Sequence, residues 1–159
     1  RAAASYAVGA LPLVALEATL AAYLAGELDQ VPALYAMGRP IEEVRARVTA
    51  WCERLTSAGV ACELVDTCGQ AGGGSLAEEP LPSAAAWLQV GAEHRSQPSE
   101  SADGSVSVDE LAKRLRHGTP PVMARISDGR LLLDGRTVMP SEDDELVAAV
   151  VAAWPAASR

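Results

Sequence analysis

The hydrophobic period of this chain changes at Gly59. Upstream, Ile41, Val44, Val48, Trp51, Cys52 and Leu55 recur every three or four residues, which places them on one stripe of a helix. Downstream, Val60, Cys62 and Leu64 alternate with polar residues, which predicts a strand from Val60 to Asp66. Pro40 suits the helix start, Glu42 and Glu43 complement its dipole, and Gly59 suits the position just past its end. A striped helix running straight into a one-sided strand has to be layered on that strand.

The other elements follow the same logic. Pro12 to Gly26 reads as a helix that is apolar nearly all round, through Leu13, Val14, Leu16, Leu20, Ala21, Tyr23 and Leu24. Such a helix is buried on most faces, and a chain of 159 residues can hardly cover it, so it is expected to pack on an absent domain or a second subunit. Val31 to Met37 is a short helix. Ser83 to Val90 is a weaker, alanine-rich strand. Gly91 to Ser105 is a polar surface insertion. Ser107 and Glu110 have capping-box spacing and open a helix with Val108, Leu111, Ala112 and Leu115 inward and Lys113, Arg114 and Arg116 outward. Asp128-Gly129 between Val122–Ile126 and Arg130–Asp134 is a hairpin signal. Ser141 is expected to cap a last helix, Glu142 to Trp154, with Leu146, Val147, Val150, Val151 and Trp154 inward. The fold class is therefore α+β: a small antiparallel sheet covered by helices. Residues 1–28 are expected to form a linking apolar helix that packs on an absent large domain, and residues 29–159 a small domain. The start at Arg1 rather than Met points to a truncated N-terminus.

Charge and rare residues narrow the function. The net charge of −8 argues against bulk electrostatic binding of a polyanion. Cys52, Cys62 and Cys68 are odd in number and lack C-x-x-C spacing, so they are expected to be reduced thiols of a cytoplasmic protein, with Cys52 in the core. His94 and His117 have no evident partners for a metal site or a triad. Leu11 to Ala25 is short for a membrane span and contains Glu17.

Two segments nevertheless look made for a small ligand. Gly72-Gly73-Gly74-Ser75 follows a strand, and three glycines let backbone N–H groups approach a ligand closely. Arg125 precedes the Asp128-Gly129 turn, and a buried strand arginine is a natural fork for a carboxylate or phosphate. The bland readings are a tight surface turn for the glycines and a locally paired arginine for Arg125. Cys68, placed in the same loop as the glycines, is the thiol to test for reactivity. Glu42-Glu43 and Glu78-Glu79 are helix-start and surface charges rather than an acid–base pair.

Taken in order, the segments resemble the C-terminal part of bacterial selenocysteine synthase, the L-seryl-tRNA(Sec) selenium transferase family. The resemblance rests on Leu16-Glu17-Ala18-Thr19-Leu20, Arg39-Pro40 with Glu42-Glu43, and Gly72-Gly73-Gly74-Ser75-Leu76 with Leu81-Pro82-Ser83. It continues through Asp109-Glu110-Leu111-Ala112 with Arg114-Leu115-Arg116, Pro120-Pro121-Val122 with Arg125-Ile126, and Asp128-Gly129-Arg130-Leu131-Leu132-Leu133-Asp134 with Arg136-Thr137-Val138. It implies the small domain of a fold-type-I enzyme dependent on pyridoxal 5'-phosphate, with the cofactor bound mainly by an absent large domain. The implied reaction converts Ser-tRNA(Sec) to selenocysteinyl-tRNA with selenophosphate, and the chain is not expected to be active alone. It further implies a homo-oligomer, and Gly72, Gly73, Gly74, Ser75, Arg125 and Arg136 facing substrate or cofactor, with no catalytic residue or metal ligand in this chain. Lys113, the single lysine, sits on a polar helix face and not in the desolvated pocket that a Schiff-base lysine needs.

Three departures matter. The family's two arginines and Asp-Lys ahead of Leu16 correspond to Ala4, Ala7, Gly9 and Ala10, which puts selenophosphate use in doubt. Thr67-Cys68-Gly69-Gln70 keeps only the glutamine of the usual acidic-Ser-Gln run. The insertion from Gly91 to Ser105 is longer than usual. Two alternatives therefore stand beside the transferase. One is a related pyridoxal-phosphate-dependent β-eliminating lyase acting on a small amino acid. The other is a non-catalytic module for assembly or tRNA contact, built on the Leu11–Leu24 helix and the Lys113-Arg114-Arg116 face.

Overall fold

A computed structural model describes residues 9–70, 80–90 and 106–155. The chain divides into two compact units, Arg1–Gly38 and Arg39–Arg159. The first contains helix α1 (Ala10–Leu24), a 3-10 turn and helix α2 (Pro32–Gly38). α1 starts two residues before Pro12, which occupies its first turn, where a missing N–H costs nothing. None of its residues is buried, and Leu11, Leu13, Val14, Leu16, Leu20, Tyr23 and Leu24 are all more than half exposed. No helix among the described residues is long and apolar enough to cross a membrane.

The second unit is an antiparallel sheet layered with helices. Its elements are α3 (Ile41–Ser57), β1 (Cys62–Gln70), β2 (Pro80–Leu88), α4 (Val108–His117), β3 (Arg125–Ser127), β4 (Arg130–Asp134) and α5 (Asp143–Ala153). The sheet order is β1-β2-β4-β3 with every neighbour antiparallel, so β1 and β3 are the edges. The expected stripe on α3 is the heart of the core: Val44, Val48, Trp51 and Leu55 are buried against Ala84, Ala86, Leu88, Leu131 and Leu133. Burying each such side chain contributes on the order of 1.5–3 kcal/mol. The period change at Gly59 is a tight helix stop. Gly59 takes φ +83°, its N–H donates to Thr56 O, and Val60 N–H donates to Leu55 O at 2.9 Å. Val60 and Leu55 are both buried beside the stop, the hydrophobic contact that usually accompanies this ending.

The Asp128-Gly129 turn forms as expected, with φ of 51° and 73°, the left-handed pair that suits the twist of a two-residue hairpin. Several boundaries differ. β1 runs four residues past Asp66, because Thr67 to Gln70 stay paired with Ser83 to Pro80. β2 accordingly starts at Pro80, and Cys68 lies on a strand rather than in a loop. β3 begins only at Arg125, so Val122 to Ala124 lead in without a ladder. The last helix is entered through a 3-10 turn, where Glu142 Oε2 accepts from Met139 N–H at 2.9 Å; Ser141 is not its cap. Leu146, Val147 and Val150 face inward, whereas Val151 is 37% exposed. Ser107 caps α4 by accepting from Glu110 N–H at 3.1 Å, while the Glu110 carboxylate turns to Arg114 at 3.2 Å.

Two contacts bind the layers together. Gly135 follows β4 where the chain runs hard against α3. A Cβ there would meet Val48 Cγ2 at 2.7 Å and Val44 Cγ1 at 2.8 Å. Arg47 on α3 reaches Asp143 with two nitrogens, at 2.5 and 3.2 Å, and also donates to Gly135 O and Val138 O. This fork holds α3, the end of β4 and the first turn of α5 in one place.

Candidate functional site

Alternation sorts the strand residues onto two faces. Cys62 and Leu64 on β1, Ala84, Ala86 and Leu88 on β2, and Leu131 and Leu133 on β4 point to the helices. Glu63, Val65 and Thr67, then Ser83, Ala85 and Trp87, then Arg130, Leu132 and Asp134, and finally Arg125, lie on the other face by the same register. Ala85 and Leu132 on that face are buried although they do not join the helix-facing core.

Arg125 crosses this face. It lies on edge strand β3, yet one terminal nitrogen donates to Thr67 Oγ1 at 2.5 Å and the other to Cys68 O at 3.5 Å, both on the opposite edge strand β1. In a flat sheet, three strand intervals of about 4.8 Å would separate those edges by about 14 Å, beyond the reach of an arginine. The sheet therefore curls, as twisted ribbons do, and the long β1–β2 ribbon brings its far end over this face. On this face Ala85 and Leu132 are covered, at 0% and 6% exposed. Arg130 stacks at one side, with its guanidinium carbon 4.6 Å from the centre of the Trp87 ring.

Arg125 was expected to be a buried strand arginine; it is exposed, because β3 is an edge strand. Among the described residues no carboxylate pairs with it. It keeps donor capacity for a ligand, and its contacts on β1 lie within a few residues of the strand's end. Gly72, Gly73, Gly74 and Ser75 fall in the stretch that follows and lie outside the described residues. His94 and Glu78-Glu79 also lie outside them.

Arg136 is of a different kind. It is 9% exposed, donates from Nε to Pro82 O and from Nη1 to Arg39 O, each at 2.8 Å, and its own N–H reaches Asp134 Oδ1. Asp134 also accepts from Ser83 Oγ. The cluster joins the start of β2, the end of β4 and the residue before Pro40.

Lys113, Arg114 and Arg116 are exposed on the outer face of α4, as their spacing predicts. Two clefts, of about 310 and 340 Å³, lie beside Pro120–Met123 and beside Arg114–Trp154, and Arg125 lines neither. Nothing in the sequence marked Arg47 as a structural hub; its partners are some 90 residues away along the chain.

The comparisons agree with the motifs. Residues 5–139 match the SelA family, L-seryl-tRNA selenium transferase. The L-seryl-tRNA(Sec) selenium transferase of Moorella thermoacetica is 37% identical over 146 residues, covering 89% of this chain and 28% of the relative. Proteins of the same name from Hyphomonas neptunium and Geobacter sulfurreducens are each 34% identical, over 87% and 88% of this chain. The chain thus spans a little over a quarter of the length of the curated relatives it matches. The chain belongs to the L-seryl-tRNA selenium transferase family.

Proposed function

We propose that this chain is the small-domain part of a pyridoxal-phosphate-dependent L-seryl-tRNA(Sec) selenium transferase. The observation that carries the reading is the family match across residues 5–139, which includes the strand that bears Arg125. The residues of this chain do not fit a covalent cofactor site: Lys113, the single lysine, stands exposed on α4 rather than in a desolvated pocket. The cofactor, held mainly by a large domain, supplies the electron sink that eases loss of the serine hydroxyl. The part assigned here to the small domain is to bind and orient.

Arg125 is the residue proposed for that task. Its fork is exposed and free of carboxylates among the described residues, where it can polarise an ester carbonyl or hold the tRNA end. Gly72, Gly73, Gly74 and Ser75 are proposed to supply backbone donors to the same ligand. Arg136 is assigned a bracing role, through the carbonyls of Pro82 and Arg39.

The decisive test uses the intact enzyme. Arg125→Lys keeps the charge and loses the planar fork, so turnover of Ser-tRNA(Sec) should fall about 100-fold, as for loss of one oriented donor, while the melting temperature holds. Unchanged turnover removes Arg125 from the site. A second reading, the β-eliminating lyase on a small amino acid, is favoured by one observation, the alanines at positions 4 and 7. Turnover of free O-phosphoserine, with none of Ser-tRNA(Sec), would select it. The chain by itself, incubated with pyridoxal 5'-phosphate and reduced with borohydride, should carry no stoichiometric adduct on Lys113 by mass spectrometry.

A further inference from the structure

Cys52 and Cys62 are ten residues apart in sequence, on α3 and on the first residue of β1, and their Sγ atoms lie 2.8 Å apart. Both side chains are half-buried thiols. The Gly59 stop turns the chain back so that the last turns of α3 face the start of β1. A disulfide has an S–S distance of about 2.05 Å, so the two sulfurs need approach by less than an ångström. Cys68 provides an internal contrast. It is exposed, six residues farther along the same strand, a span of about 20 Å, and its thiol lies against Gly69 O rather than another sulfur.

We propose that Cys52 and Cys62 are a reversible disulfide site, oxidised by a hydroperoxide, that fastens the end of α3 to the start of β1. Cys52 is the attacking sulfur. The hydrogen bond from Cys62 holds its thiol below the usual range, against the opposing effects of burial and Glu63. Giving that hydrogen bond, together with burial, pushes the Cys62 thiol up, so Cys62 keeps its proton. Thiolate is the reactive form. In the first step the Cys52 sulfur bonds to a peroxide oxygen, the O–O bond breaks, and the departing hydroxide takes up a proton as water, leaving a sulfenic acid on Cys52. In the second, the Cys62 sulfur bonds to the Cys52 sulfur, the S–O bond breaks, and hydroxide leaves as water with the Cys62 proton. Two electrons pass from the sulfur pair to the peroxide. The bond lies on the helix side of the sheet, away from Arg125, so its effect falls on the α3–β1 layer and not on the opposite face.

The test uses this chain with Cys68→Ser, so that only the pair remains. Hydrogen peroxide in modest excess is followed by denaturation, capping with N-ethylmaleimide and mass spectrometry. Reduced protein should take up two maleimides. Oxidised protein should take up none and weigh two hydrogens less, and dithiothreitol should restore both caps. Cleavage after Arg54 puts the two cysteines on different peptides, which should stay joined until reduced. The melting temperature should rise on oxidation, as closing a loop restricts the unfolded chain. Two caps after peroxide, sulfinic acid on either cysteine, or a disulfide-linked dimer as the main product would overturn the proposal.

Discussion

The two faces of one sheet are built by different means. The helix-facing side is aliphatic and closed: Val44, Val48, Trp51, Leu88 and Leu131 are each no more than 2% exposed, and α3, α4 and α5 cover them. On the opposite side Ala85 and Leu132 are also buried, and Arg125 and Arg130 extend from β3 and β4 to Thr67 and to the Trp87 ring. Dense packing holds the first face, so it tolerates little change. On the second, Arg125 reaches across from β3 to β1 and Arg130 stacks on Trp87, both of them exposed. Packing thus resides on one side of the layer, and the proposed recognition role on the other.

Substitutions can break this division. The largest stability loss is expected from Trp51→Ala, about 3–5 kcal/mol, because it empties the centre of the helix-facing layer; urea unfolding measures it. A loss below 1 kcal/mol would show that the helices do not hold that face. Gly135→Ala should cost about 1–3 kcal/mol, since the added methyl must displace Val44 and Val48 at the close approach of α3. On the other face, Arg130→Ala should cost only about 0.5–1 kcal/mol, the loss of a partly exposed cation on Trp87. Thermal unfolding of that variant sharpens the comparison: a loss as large as that of Trp51→Ala would make the Arg125 side structural as well.

Much of the architecture was legible in short windows. The α3 stripe, the Gly59 stop and the Asp128-Gly129 hairpin each need only local periodicity or turn chemistry, and each formed. Strand ends were less legible. Thr67 to Gln70 pair with Pro80 to Ser83, and nothing local announces a partner across a connection of nine residues. The candidate site was legible as residue types but not as geometry. Arg125 was visible as an arginine before a turn, yet its exposure follows from β3 being an edge, a property of strand order. Arg136 lies two residues past β4 on the same hairpin arm and is consumed by backbone carbonyls.

By itself the sequence determined which segments are helix or strand, where two of the turns fall, and which family the chain belongs to. Those properties reside in spacings of two to four residues and in motifs read one after another. Tertiary structure alone decided that Arg47 reaches Asp143, that the sheet curls until Arg125 touches Thr67, and that Cys52 meets Cys62. The reason is geometric: each of these meetings depends on how two elements are packed, curled or turned against each other, and no residue spacing along the chain carries that information.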